Sequence, residues 1–296
     1  MEKLYKTICI FMTLVLFCPT ISLAAGAADP LSDLGDENSY TFTISEYEMY
    51  QQIQELSEEE LAAAGYSAEQ IDQMKNVSLE DVFLERSELS EEELAAYGYD
   101  DEQISLIKAY DGSPISEDSP MMAAISGLTC TLSGSVGSST ATVQLKWEWS
   151  SRPAYEYSDL AALVWKAVDS NGYTIGTQTS VAASAVVYRS TSTGNLVKSA
   201  SVTPIYDDVD NGAYIEFDMY STSYGSNAWA KSGTLGVTVS PQGSQSIYKI
   251  SAKGYYGHSI VEVEWSISVS SSSLSISFTP VDGVSITQTS SATYSK

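Results

Sequence analysis

The sequence holds a single histidine, His258, and three cysteines. One histidine excludes a multi-histidine metal site and leaves any Ser-His-Asp triad dependent on one side chain. No Gly-x-Ser-x-Gly elbow, Cys-His pattern or glycine-rich phosphate loop is present. No metal and no cofactor is therefore expected. Basic residues are also scarce, with 14 Lys plus Arg against 38 Asp plus Glu, a formal net charge of -24 and a pI near 4.1. Such a chain repels nucleic-acid backbones and anionic lipid, so its partners are expected to be neutral or cationic.

Beyond Ala28 there is no long apolar run. Before it, Lys3 and Lys6 precede the apolar stretch Ile8 to Leu23, and small residues follow at Ser22-Leu23-Ala24 and Ala25-Gly26-Ala27. This pattern reads as a cleaved secretory signal, 1–28. An uncleaved anchor is the alternative, but the run is short and Pro19 interrupts it. Phe17 before Cys18 is too bulky for a lipoprotein site. The expected product is a soluble, extracellular protein with no stable membrane insertion. Of the cysteines, only Cys130 survives cleavage, so a hydrophobic core rather than disulfides must hold the chain. That habit suits a Gram-positive bacterium.

Charge is unevenly spread. The segment 29–118 carries 25 acids against Lys75, Arg86 and Lys108, a net of -22, whereas 119–296 carries 12 acids against 9 bases. The shift falls in a Ser/Pro stretch, 112–122, expected to be a linker. The acidic part repeats itself: positions 56–75 match positions 89–108 at 14 of 20 places, an offset of 33. Ser57 with Glu60 and Ser90 with Glu93 make capping boxes, and Gly65 and Gly98 supply helix stops. Ser45 with Glu48 and Ser78 with Asp81 extend the repeat backward. Two units of three short helices, 45–77 and 78–110, follow an N-terminal segment, 29–44. Met49, Ile53, Leu61, Ile71, Met74, Val82, Phe83, Leu94, Ile104 and Ile107 are placed on one apolar seam. Ankyrin and tetratricopeptide signatures are absent. The carboxylates read either as a solvated surface or as a pro-region or docking module for a basic partner.

From residue 123 the apolar period becomes two. Val143, Leu145, Trp147 and Trp149 alternate with polar residues, as do Val261, Val263, Trp265, Ile267 and Val269. Further runs are Ile215, Phe217, Met219; Leu235, Val237, Val239; and Leu274, Ile276, Phe278. Asn171-Gly172, Asn211-Gly212 and Asp282-Gly283 fit tight hairpins. Nine or ten antiparallel strands and no crossover helices predict a β-sandwich, 123–296, with a membrane barrel as the structural alternative. The overall expectation is an α+β chain by segregation, a small all-α tandem repeat followed by an all-β antiparallel sandwich.

Three chemistries compete. Aromatic clusters with Ser, Gly and Asn neighbours resemble binding loops in composition, and Tyr220, Tyr224, Asn227, Trp229, Tyr255, Tyr256 and His258 are the expected ligand-binding set, with Tyr155 and Tyr157 beside Arg152 as a weaker cluster. On that basis the leading function is a non-catalytic binder of a glycan or surface protein. The alternative is a β-pore-forming or membrane-damaging toxin, in which the strand Ile260 to Phe278 refolds as an amphipathic hairpin. The second alternative is a glycosidase built on Glu216 and Asp218 or on Glu262 and Glu264. Asp207, Asp208 and Asp210 are read as a plain acidic hairpin turn. No catalytic residue is assigned.

Overall fold

Among the described residues six short helices follow a first strand, and their starts repeat at the spacing of the sequence. Helices α1 (Glu46–Glu55), α2 (Glu58–Ala63) and α3 (Ala68–Asn76) are followed by α4 (Leu79–Ser87), α5 (Glu91–Ala96) and α6 (Asp101–Lys108). The starts pair as 46 with 79, 58 with 91 and 68 with 101, so every helix of the second unit keeps the offset of the repeat. Ser45, Ser57, Ser67, Ser90 and Asp100 head capping boxes, and Ser78 caps α4 through the Asp81 N–H alone. Each box ties down N–H groups that the first helical turn cannot pair. Gly65 and Gly98 follow α2 and α5 with φ of 101° and 92°, a conformation that glycine adopts without strain.

The computed structural model describes residues 39–207, 211–224, 226–262, 265–270, 275–280 and 285–295. The leader 1–28, the residues Asp208, Asp210, Val263, Glu264 and Leu274, and the Asp282-Gly283 pair lie outside the described residues. All of the described residues fall within one compact unit, 36–296.

The unit is a sandwich of antiparallel sheets with the helices at one end. The larger sheet contains β1 (Ser39–Ser45), β2 (Gly127–Val136), β3 (Ala141–Trp149), β5 (Thr177–Ser190), β6 (Leu196–Ser201) and β10 (Ala228–Pro241), in the order β1-β2-β3-β10-β5-β6, with the two-residue β9 (Tyr220–Ser221) beside β10. The smaller contains β4 (Ser158–Val168), β7 (Ile205–Asp207), β8 (Gly212–Asp218), β11 (Lys249–Ser259) and β14 (Ser285–Ser295), in the order β14-β11-β4-β8-β7. A hairpin of β12 (Trp265–Ser270) and β13 (Ser275–Pro280) forms a third, two-stranded sheet. The fold is thus a helical region joined to an antiparallel β-sandwich.

The 29–44 segment supplies β1, in which Ile44 is buried and Thr41 and Thr43 pair hydroxyls with Thr131 and Thr129 of β2. The Ser/Pro stretch is also anchored: Ile115 and Met121 are buried, and the Ile115 N–H donates to Glu80. One continuous core runs from Met49, Phe83 and Ile107 of the helices to Trp149, Leu163 and Tyr256 of the sandwich. At its centre the Trp147 ring stacks on Phe217 across the two sheets at 5.2 Å. Gly233, paired directly with Trp147, leaves the room for that ring, since a Cβ there would lie 2.1 Å from the indole.

Candidate functional site

Four of the seven residues expected to bind ligand are interior. Trp229 lies in β10, and Tyr255, Tyr256 and His258 lie in β11; none is more than 5% exposed. The loop expected around Gly254 to His258 is instead a strand running between β4 and β14. Gly254 is small because the side chain of Leu145 occupies its place; a Cβ there would sit 2.9 Å from Leu145 Cδ1. On the outer face Tyr255 is covered together with Leu160, Ala162, Val164 and Ile276, so the strand is buried on both sides. Tyr220, Tyr224 and Asn227 stay near the surface. Tyr224 packs on Tyr188 at 4.9 Å, and the Arg152 guanidinium stands 4.2 Å over Tyr97 and 5.8 Å from Tyr220.

His258 belongs to a buried polar cluster. Its Nδ1 lies 2.9 Å from Asp159 Oδ1, and its Nε2 lies 3.5 Å from Glu46 Oε1. Asp159 also accepts from the Tyr256 hydroxyl at 2.6 Å and the Ser259 N–H at 3.2 Å, while Trp149 Nε1 donates to that hydroxyl at 3.1 Å. Burial by itself depresses the imidazole pKa; Asp159 and then Glu46 outweigh it and push it up to about 10. Burial, with Asp159 beside it, raises Tyr256 well above the usual phenol value. The side chains of His258, Asp159 and Glu46 are at most 1% exposed, so the cluster joins helix to sandwich in a place solvent does not reach.

The carboxylates considered for glycoside hydrolysis are placed elsewhere. Glu216 and Asp218 are exposed on β8, with Asp218 accepting from Ser158 Oγ at 2.9 Å, and Glu262 is exposed just after β11. Tyr155 is buried and Tyr157 is 42% exposed.

An open groove lies at the other end of β4 and β11 from His258. Its volume is about 330 Å³, and Asp169, Ser170, Gln245, Ser246, Ile247 and Tyr248 line it. Two turns build it, with Gly172 and Gly243 at φ of 84° and 75°. Asp169 Oδ1 accepts the N–H of Asn171 and of Tyr173, each at 2.9 Å, and these bonds hold its carboxyl below the usual range. The Tyr248 N–H donates to Val168 O, and the Gln242 N–H to Gly176 O, so the turns are fixed to the sheets and to each other. Tyr173, on the turn that carries Asp169, is 71% exposed, and Tyr248 is 46% exposed. The wet phenol ring of Tyr248 lines the groove with a carboxylate, an amide and hydroxyls, and so offers an apolar face and hydrogen-bonding groups together.

No protein-family model and no curated protein matches the chain. Among solved structures, the collagen-binding domain from a Staphylococcus aureus adhesin is similar over 55% of this chain and 97% of that one, at a TM-score of 0.25 and 9% identity. A second, AvmM, which catalyzes macrocyclization in alchivemycin A biosynthesis, is similar over 55% of this chain and 87% of that one, at a TM-score of 0.25 and 10% identity. At these scores neither likeness bears on what this chain does.

Tyr173, Tyr248 and Gln245 were not among the residues expected to bind. The sequence signal near Tyr173 is Asn171-Gly172, the hairpin pair that precedes it. Among the described residues no helix is long and apolar enough to cross a membrane.

Proposed function

We propose that this protein is a secreted, non-catalytic binding protein whose sandwich recognises a glycan at the groove lined by Asp169, Gln245 and Tyr248, with Tyr173 exposed on the same turn as Asp169. The observation that carries the reading is the placing of the exposed Tyr248 with Asp169 and Gln245 in one groove, on turns held by their own hydrogen bonds. Rigid rings stack on sugar faces at low entropy cost, and pre-fixed polar groups select hydroxyl positions. The sealing of His258 and Asp159 supports a non-catalytic role. The shared core and the engagement of Lys75, Lys108 and Arg86 with backbone carbonyls support reading the acidic helical repeat as a docking surface for a cationic partner rather than as a detachable pro-region. A glycan array probed with the secreted chain tests the main reading. Retention on one polysaccharide class supports it, and no retention on any class removes it.

One observation favours membrane damage as a second reading. The β12–β13 hairpin is a separate sheet, and Ile276 and Ile267 lay it on the outer face of β4. Dye release from liposomes that disappears when this hairpin is tied to β4 by an engineered disulfide supports that reading, and intact liposomes at every concentration remove it.

A further inference from the structure

The two helical units differ from each other inside the core at positions 46 and 86. Moved by the offset of the repeat, Glu46 falls on Leu79 and Arg86 falls on Ile53, both apolar and buried. Both departures meet one segment of the sandwich, 152–155. Arg86 donates to the carbonyls of Arg152 at 3.2 Å and Pro153 at 2.6 Å. Glu46 accepts the Ala154 N–H at 2.8 Å and the Tyr155 N–H at 3.1 Å. A carboxylate replaces leucine in an enclosed position at a large desolvation cost unless a matching receptor surrounds it.

That receptor is complete without the helix. Two consecutive N–H groups converge on Glu46 Oε1, and His258 Nε2 stands 3.5 Å from the same oxygen. This Nε2 is fully buried and has no hydrogen bond of its own, while Nδ1 is committed to Asp159. All three donors belong to the sandwich, and only the carboxylate comes from α1. β1 pairs with β2 through Ser45, and the Glu46 N–H donates to Ser126 O at 2.9 Å, so strand pairing delivers the carboxylate to the donors at high effective concentration.

We propose that the sandwich carries a carboxylate-binding site, formed by the N–H groups of Ala154 and Tyr155 and by Nε2 of His258, which Glu46 fills as a tethered ligand and which takes a small monocarboxylate when that side chain is absent. The site is independent of the groove lined by Asp169 and Tyr248 and stands whether or not a glycan binds there.

Thermal unfolding of full-length Glu46→Ala in sodium acetate and in sodium chloride at equal ionic strength and neutral pH tests it. The variant unfolds below wild type in chloride, and acetate raises its midpoint by about 2–4 °C beyond any effect on wild type. The acetate-specific rise disappears in Glu46→Ala/His258→Gln. If Glu46→Ala does not fold in chloride, recovery of its near-ultraviolet circular dichroism on refolding in acetate is the supporting result. Equal responses to the two salts in variant and wild type, or no recovery in acetate, overturn the proposal.

Discussion

Lys75 and Lys108 occupy the same place in the two repeat units, and their ammonium groups meet equivalent carbonyls: Gln54 and Leu56 for the first, Ser87 and Leu89 for the second. Each lysine closes the end of the first helix of its own unit, where the last carbonyls lack partners and the helix dipole favours a cation. The third cation of the acidic region, Arg86, is buried against Pro153.

Removing either lysine cap is expected to have the same effect. Lys75→Met and Lys108→Met each lower stability by about 1 kcal/mol in urea unfolding, since each loses at least two charge-assisted bonds at a helix end. A cost in one variant and none in the other would show that the two units are not held alike.

The close approach of Gly233 to Trp147 sets a second expectation. Gly233→Ala drives a methyl into the indole and costs about 1–3 kcal/mol, the range for overpacking a filled core. Tryptophan fluorescence of the folded variant should shift as the Trp147–Phe217 stack opens. A variant as stable as wild type would mean that Trp147 has room to move.

His258 gives a pH response with a defined sign. Its folded pKa is raised from the usual 6.5 to about 10, so its contribution is fully present below pH 6.5 and is lost as pH rises through about 10. Glu46 from α1 and Asp159 from β4 favour the imidazolium, Tyr256 hydrogen-bonds to Asp159, Tyr99 and Tyr155 feel the charge of Glu46, and Arg86 donates to Tyr99. The buried phenols add a separate loss at higher pH, because burial raises their own values. Between about pH 7 and 8 the histidine dominates and stability should fall by about 1 kcal/mol per pH unit, while burial of the Cys130 thiol, which raises it above its usual value, adds a loss at higher pH. In His258→Gln the denaturation midpoint should be level over that window; a wild-type slope in the variant would assign the effect to another group.

Local signals were legible in the sequence where they acted locally. The capping boxes and the offset of the repeat located all six helix starts, because Ser57 and Glu60 satisfy groups within one helical turn. Alternation located β3, in which Val143, Leu145, Trp147 and Trp149 are all buried. It failed at β11, where Tyr255 and Tyr256 are both interior: a strand covered on both faces shows no alternation, and Gly254 and Gly257 then resemble loop residues. The Glu46–His258 contact joins the first helix to the eleventh strand, and its only trace in the sequence is that Glu46 stands where the second unit has Leu79. The groove lined by Asp169 and Tyr248 likewise depends on two distant turns meeting.

The proposed glycan site is the groove and not the aromatic set around Tyr220 and Tyr224. The decisive measurement is isothermal titration of a glycan retained on the array against Tyr173→Ala/Tyr248→Ala and Tyr220→Ala/Tyr224→Ala. The first pair is expected to weaken binding at least about tenfold, from the loss of two ring contacts, with thermal unfolding unchanged, and the second pair to leave affinity intact. Full affinity in the first pair with loss in the second would place recognition at Tyr220 and Tyr224 instead.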